Sequence, residues 1–412
     1  VVRILSVWVL TRTVLLLCVL KVLTAPGPDV TSDVWVIYQG WYEVLRTGTF
    51  PLDDVTWQYP PAAALAVLSP ALLPFIGYGT AFFVLALLAD ALALGLLLYA
   101  GPRPGRTLRG AWVWVVGVAL LGPTVYARYD LMVTAVAVAA LLAGARHPRT
   151  MGALAGFGAL LKVWPVLLLV GTPRARATRR SWGAAAVTAI GVALAFLVTM
   201  PGALAFLTFQ RDRGTEVESL GALVFHVARH FGWSGQVQLN YGSVEFLGPY
   251  VPLVSTAAQA LSVAAFCWLL VWRLRARAWS AGTVADAAFV AVLLFTVTSR
   301  VISPQYLVWL VGIAAVCLVF RTSRMVLPAR LVLAATFVTF LEFPVWFSHV
   351  VASDPLGIAL LFVRNGLLVA AALLACRSLW RRTVSEPRLQ GCDASPGEVS
   401  RAPRADTYAT AP

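Results

Sequence analysis

One carboxylate stands out by its surroundings. Asp33 opens the run SDVWVIYQGWYEVLRTGTFPLDDVTWQYPP (residues 32–61), which is acidic and aromatic where the preceding segment is apolar. Trp35, Tyr38, Trp41 and Tyr42 follow it, and on a helix Asp33, Ile37 and Trp41 fall roughly on one face. A carboxylate held there can act as a general base. It can equally sit in a helix first turn, with Ser32 as the cap. Cationic groups come from three other places. Arg128, with Tyr129 and Asp130 in YARYD, carries the rigid donor fork that suits phosphate, or forms a local pair capping a turn. Lys162, one of two lysines, lies beside Trp164 and either serves a buried site or snorkels to an interface. Arg300 opens SRVISPQYLVW, which also holds Gln305 and Tyr306, and is otherwise an interface anchor.

The elements that must position these groups are apolar. Hydrophobic residues make up 60% and charged residues 12% of the 412, and mean hydropathy is +0.81. That much apolar surface needs lipid or other helices around it. The expected fold is therefore an all-α polytopic transmembrane bundle. The net charge of +14 does not indicate nucleic-acid binding, because the arginines cluster in short breaks between apolar runs: Arg103, Arg106 and Arg109; Arg174, Arg176, Arg179 and Arg180; Arg273, Arg275 and Arg277; Arg377, Arg381 and Arg382. Basic loops of this kind stay on the cytoplasmic side. Acidic residues take the other side: Asp29, Asp33, Glu43, Asp53 and Asp54 in a first outer loop (26–58), and Asp212, Glu216, Glu218 and Glu245 in a second (202–248).

Threading the chain between basic and acidic loops gives ten crossings with both termini inside, over 1–25, 79–100, 111–127, 130–145, 181–201, 249–272, 280–298, 303–320, 330–346 and 355–376. The first reads as a retained span. Residues 59–76 carry Pro60, Pro61, Pro70 and Pro74 and read as a short helix in the outer leaflet. Residues 150–172 have basic clusters at both ends and read as a hairpin bent at Val163-Trp164-Pro165, with Lys162 at its tip; a single span is the alternative. Residues 1–382 form the membrane domain, and 383–412 read as a disordered inner tail.

Other chemistries find less support. Cys18, Cys267, Cys317 and Cys376 lie in spans and Cys392 in the tail, so no disulfide framework is implied. No phosphate-binding glycine loop is present. His226 and His230 are four apart, a metal-compatible spacing, but read as the polar face of a loop helix without a third ligand. Asp90 and Asp286 lie within spans and read as helix-pairing groups, with Glu342 and His349 as weak candidates near an outer end. No cofactor and no metal-ligand set is expected, and the sequence does not identify a divalent-metal requirement.

The order of these features resembles the GT-C superfamily of membrane glycosyltransferases, and most closely family 87, the polyprenyl-phosphomannose-dependent α-mannosyltransferases of actinobacteria. The resemblance rests on the aspartate-led loop SDVWVIYQGWYEVLRTGTFP, then WQYPP, YARYDLMVTAVAVAALL, GALLKVWPVLLL and SPQYLVWL. It implies a cell-membrane enzyme with its site on the extracytoplasmic side. There a sugar passes from a polyprenyl-phosphate donor to a lipid or glycan acceptor with inversion. Asp33 takes the general-base position. Arg128, Arg300 and Lys162 are the candidates for the donor phosphate. Trp35, Tyr38, Trp41, Tyr59, Asp130, Glu218, Gln305 and Tyr306 are candidates for sugar or acceptor. Family members resemble SP-x-x-W-x-H where this chain has SPQYLVW, so Gln305 and Tyr306 stand without the family's histidine. A lipid-linked saccharide transporter or a non-catalytic envelope assembly protein are the readings from other classes.

Overall fold

A computed structural model describes residues 1–24, 26–209 and 214–385. The tail expected from 383 therefore lies almost wholly outside the described residues, as do Arg211 and Asp212. The chain is a helical bundle: α1 (Val2–Val19), α2 (Tyr78–Ala100), α3 (Arg109–Leu121), α4 (Asp130–Gly144), α5 (Pro148–Leu161), α6 (Arg176–Thr199), α7 (Val251–Arg275), α8 (Thr283–Thr298), α9 (Tyr306–Val319), α10 (Val326–Phe340) and α11 (Pro355–Trp380).

Among the described residues, six helices are long and apolar enough to cross a bilayer: α1, α2, α6, α7, α10 with its continuation to Val345, and α11 with its continuation to Ser385. The expected count of ten needs refinement here. The segments at 111–127, 130–145, 280–298 and 303–320 are helical, but α3, α4, α8 and α9 have only 13 to 16 residues. At about 1.5 Å per residue they fall short of a hydrocarbon core of about 30 Å. They are also the most enclosed helices. Every residue from Leu307 to Val319 in α9 is buried. A helix apolar all round belongs in the interior, and irregular backbone at its ends is tolerated there because protein covers it.

The proline positions act as the sequence suggests. Between Pro60 and Pro74 there are only Ala63–Leu68 and a 3₁₀ turn at Ser69–Leu72. The expected hairpin is present: α5 ends at Leu161, Lys162 is extended (φ −160°, ψ 134°), and a 3₁₀ segment Trp164–Gly171 returns with Pro165 in its first turn. α5 then packs along α6. Gly152 and Gly156 allow this, since a Cβ at Gly152 would lie 1.9 Å from the Ser181 carbonyl oxygen and one at Gly156 would lie 2.3 Å from that of Ala185. Neighbouring backbones approach this closely where small residues repeat at i and i+4.

Deep in the bundle Asp90 is fully enclosed and fully satisfied. It accepts from Arg12 Nε (2.8 Å) and Nη2 (3.2 Å), Trp8 Nε1 (3.0 Å), Trp114 Nε1 (2.6 Å) and the Tyr126 hydroxyl (2.6 Å). Arg12 completes its fork on the Val115 carbonyl. This network ties α1, α2 and α3 together, as the pairing expected for Asp90 requires. Asp286 pairs similarly with Ser323 and Arg382.

The second loop is not wholly irregular or helical. It forms a three-stranded antiparallel sheet, β1 (Thr215–Glu216), β2 (Gln236–Asn240) and β3 (Ser243–Leu247), in the order β1-β3-β2. β2 and β3 join through Tyr241-Gly242, both with positive φ (48° and 76°). That two-residue turn matches the twist of a hairpin. Phe246, Phe225, Val217, Val350 and Leu361 make a separate small core that seats this cap on α11.

Candidate active site

The segment after α1 starts from Asp29, whose carboxylate accepts from the Thr31 backbone and hydroxyl. That turn launches a π-helical stretch, Asp33–Tyr38, followed by Gln39–Leu45. The buried stripe is the one beside the expected Asp33–Ile37–Trp41 face and shares only Trp41 with it. The buried face is Val34, Tyr38, Trp41 and Leu45, while Asp33 and Ile37 are half-buried beside it. Tyr38 stacks on Trp41 with centroids 5.5 Å apart. Ser32 makes no side-chain cap, so Asp33 occupies the first turn itself.

Asp33 meets Arg128. The guanidinium Nη2 lies 3.0 Å from Asp33 Oδ2, with the aspartate side chain 31% exposed and that of the arginine 11%. Arg128 Nη1 donates to the carbonyls of Val30 (3.0 Å) and Ala127 (2.8 Å). The fork therefore fixes the loop bearing Asp33 to the turn between α3 and α4, and one of its amino groups faces the carboxylate. Burial works against the arginine's charge, but Asp33 and the tyrosines Tyr38 and Tyr59 reverse that effect and hold its pKa above the usual value.

Asp130, two residues on, is buried and holds a different cation. Lys162 Nζ lies 2.7 Å from Asp130 Oδ1, and Trp309 Nε1 donates to the same oxygen at 2.7 Å. The ammonium sits 5.1–5.6 Å from the ring centres of Tyr59, Tyr129, Tyr306 and Trp309. Cation–π attraction at such distances favours a desolvated cation. Trp164 stacks on Trp309 (5.2 Å), and its indole nitrogen is buried without a partner. The hairpin tip is thus pinned to α4 and α9, as the position of Lys162 beside Trp164 foreshadows.

The two charge pairs share one aromatic wall. Tyr129 meets Tyr59 edge-on at 5.2 Å and Tyr38 at 6.1 Å, and Tyr59 meets Trp41 at 5.7 Å. Asp33, Arg128, Tyr38, Trp41, Tyr59, Asp130, Lys162 and Tyr306 are therefore neighbours, although they come from five separate stretches of chain. Trp41 is buried and donates to Asp54, whose acidity is increased: burial opposes this, but hydrogen bonds from Thr56 and Trp41 outweigh it. Trp35 points elsewhere. It packs against Phe83 and the bare face of Gly79, where a Cβ would collide with its ring. Gln305 is half-buried at the start of α9.

Arg300 and Glu218 belong to an adjoining region. The Arg300 carbonyl accepts from Glu216 N–H (3.1 Å). The Glu216 carboxylate receives the Ser303 hydroxyl at 2.8 Å and the Ile302 backbone N–H. The loop leading into Gln305 and Tyr306 is thereby tied to β1. Glu218 is buried with Arg364 (3.8 Å), which forks onto Glu342 at 2.6 and 3.0 Å. One Glu218 oxygen has no hydrogen-bond partner, and burial, with Glu342 and Glu216 nearby, pushes its pKa well up. Glu218 thus sits with the cap and α11 rather than in contact with Asp33. Sequence reasoning missed Arg364, Trp309 and Arg12. Trp309 had a signal in its three-residue spacing from Tyr306, and the two arginines had one in being single charges inside apolar runs.

Of the two histidines expected on the polar face of a loop helix, His230 is exposed but His226 is not. His226 is buried, with Nε2 2.8 Å from the Val217 carbonyl and Nδ1 2.7 Å from Ser353 Oγ; His230 Nε2 meets the Ser353 carbonyl at 2.7 Å. They lock the cap to the end of α11, and burial lowers the pKa of His226 to about 4.

Compared with known proteins, the chain matches the family model of glycosyltransferase family 87 over residues 57–304, about three-fifths of its length. The match includes Tyr59, Arg128, Asp130, Lys162 and Arg300; Asp33, Gln305 and Tyr306 lie outside it. No curated protein and no solved structure matches the chain.

Proposed function

The chain belongs to glycosyltransferase family 87, and is a multi-pass membrane glycosyltransferase; we propose that it moves mannose from a polyprenyl-phosphate donor to a lipid or glycan acceptor at the extracytoplasmic face, with Asp33 as the base. The observation that carries this reading is the Asp33–Arg128 pair: a partly exposed carboxylate 3.0 Å from a guanidinium, against the wall of Tyr38, Tyr59 and Tyr129. The basic clusters that would face the cytoplasm support the side, since the Asp33 loop lies at the other ends of the spans.

In this mechanism the donor phosphate and Asp33 compete for one group. Arg128 Nη2 faces Asp33. A phosphate reaching that amino group takes over the contact, because an arginine fork suits phosphate oxygens. The released carboxylate then accepts the proton of the acceptor hydroxyl as its oxygen attacks the anomeric carbon. The bond from that carbon to the phosphate oxygen breaks on the opposite side, so configuration inverts and polyprenyl phosphate leaves. Its growing negative charge falls beside Arg128, with Arg300 as a further candidate, and fixed cations stabilise such a leaving group. For Lys162 to join them, the phosphate must compete with Asp130. Tyr59 and Tyr306 offer rings for stacking on sugar, and Gln305 offers amide hydrogen bonds where relatives resemble a histidine-bearing pattern.

The test is transfer from radiolabelled polyprenyl-phosphomannose to lipid acceptors in membranes. Wild-type protein should transfer label, and Asp33→Asn at equal protein level should lose about 10²–10⁴-fold, the usual contribution of a general base. Undiminished transfer by the variant would remove Asp33 from the chemistry, and an inactive wild type would point to another donor sugar.

A further inference from the structure

A second site lies at the basic end of the bundle, away from the Asp33 region. α5 and α6 border a groove of about 790 Å³ lined by Arg149 from α5 and by Arg176, Arg179, Arg180, Gly183 and Val187 from α6. On α6 these positions recur at three- and four-residue spacing and form one face. The neighbouring face, with Ser181 and Ala185, is buried against Gly152 and Gly156 of α5. Backbone contact between the two helices sets the spacing of the rims, so Arg149 and the α6 arginines are presented together.

Charge in the groove is uncompensated. No acidic residue occurs between Asp130 and Asp212 in the sequence. Among the described residues, no carboxylate or other hydrogen-bond acceptor meets the four guanidinium groups. Other arginines at this end bind within the protein. Arg273 donates to the Thr172 carbonyl and the Thr178 hydroxyl, and Arg382 pairs with Asp286. The four of the groove keep their donors outward.

What lies next to the groove indicates the occupant. Beyond Val187, α6 presents Ile190, Leu194 and Val198, all exposed, and only 6% of its apolar window is buried. This is the barest span of the six. Its first turns carry the arginines, which puts them at headgroup depth while the apolar stripe runs into the acyl region. Gly183 and its small neighbour Ala184 leave room at the junction.

We propose that this groove binds the headgroup phosphate of an anionic phospholipid, with an acyl chain along Val187, Ile190 and Leu194. Recognition comes from arginine forks on phosphate oxygens and from the negative charge of the headgroup. The lipid is a resident of the fold, distinct from the donor and acceptor.

Native mass spectrometry of the detergent-purified full chain tests this, with phosphatidylglycerol and phosphatidylcholine as probes. Phosphatidylglycerol should bind in preference. Arg149→Gln/Arg180→Gln should weaken it by about fivefold per arginine, about thirtyfold for the pair, at low salt. Arg149→Lys/Arg180→Lys should retain most of the binding, and Arg103→Gln/Arg109→Gln, at another basic cluster, should leave it unchanged. Equal binding of the two lipids, or an unaltered affinity in the Gln pair, would overturn the proposal. So would an equal loss in the Arg103/Arg109 control, which would make the effect one of overall charge. Full displacement of the lipid by millimolar inorganic phosphate would assign the site to a free anion instead. Melting profiles of the variants, expected to match wild type because all four arginines are exposed, separate loss of the site from loss of the fold.

Discussion

Replacing Asp33 by asparagine should abolish transfer and yet tighten binding of the donor. Asp33 occupies Arg128 Nη2 at 3.0 Å, so a donor phosphate must first break that pair. The strength of the pair sets the size of the effect. Its side chains are 31% and 11% exposed, which places it between an exposed ion pair, about 0.2–1 kcal/mol, and a buried hydrogen bond to a charged group, about 1.5–3 kcal/mol. Solvent screening at Asp33 favours the lower part, about 1 kcal/mol. Asparagine is nearly isosteric and uncharged, and the Val30 and Ala127 carbonyls still hold the other end of the fork. Donor affinity should therefore rise about fivefold, since about 1.4 kcal/mol corresponds to a factor of ten. The assay is equilibrium binding of radiolabelled polyprenyl-phosphomannose to purified protein, wild type against Asp33→Asn, with Arg128→Gln as the counterpart. Arg128→Gln should bind donor more weakly than either. If Asp33→Asn binds donor less tightly than wild type, the competition is wrong and Asp33 contacts the donor directly. If both variants bind as wild type does, the phosphate does not reach Arg128 at all.

Other consequences concern stability and pH. Lys162→Met leaves the Asp130 carboxylate buried against Trp309 without its cation, and should cost about 3–5 kcal/mol; Lys162→Met/Asp130→Leu should recover more than half of it, read from melting in detergent. Arg12→Met should destabilise by a similar amount, because Asp90 has no exposure to water. His226 stays neutral in the fold down to about pH 4, whereas an unfolded histidine protonates near pH 6.5. The unfolded state then binds more protons at this residue between these values, so the contribution of His226 to stability should fall as pH drops from about 6.5 to about 4, by on the order of 3 kcal/mol, with the raised carboxyl of Glu218 acting in the opposite sense. Melting curves across the range should show it as the difference in slope between wild type and His226→Gln.

Much of this protein is written in one dimension. Apolar runs of span length and the arginine clusters between them fix a helical membrane bundle, because lipid leaves a chain so apolar few other solutions. Proline placement marks the short helices after Tyr59 and the bend beyond Lys162, since a ring without an N–H ends a helix locally. The β2–β3 hairpin also left a signal, the alternation and Tyr-Gly turn of QVQLNYGSVEFL, but sequence reasoning missed it. Asp33, Arg128 and Lys162 stand out because charges beside apolar runs are costly.

Which charges meet is a different kind of information. Nothing in the spacing says that Arg128 faces Asp33 while Lys162 turns to Asp130. Nor does it say that Arg364 gathers Glu342 and Glu218 at the cap, or that Arg12 crosses to Asp90. The buried stripe after Asp33 runs through Val34, Tyr38, Trp41 and Leu45, an ordinary helical face whose partner, the aromatic wall, only the fold supplies. Helices of 13 to 16 residues took the centre, where neighbours rather than length decide their depth. Apolar patterning acts through the solvent, residue by residue, and so survives in the sequence. Ion pairs act over about 3 Å between side chains that helix packing brings together from tens or hundreds of residues apart, and only the folded chain sets those distances.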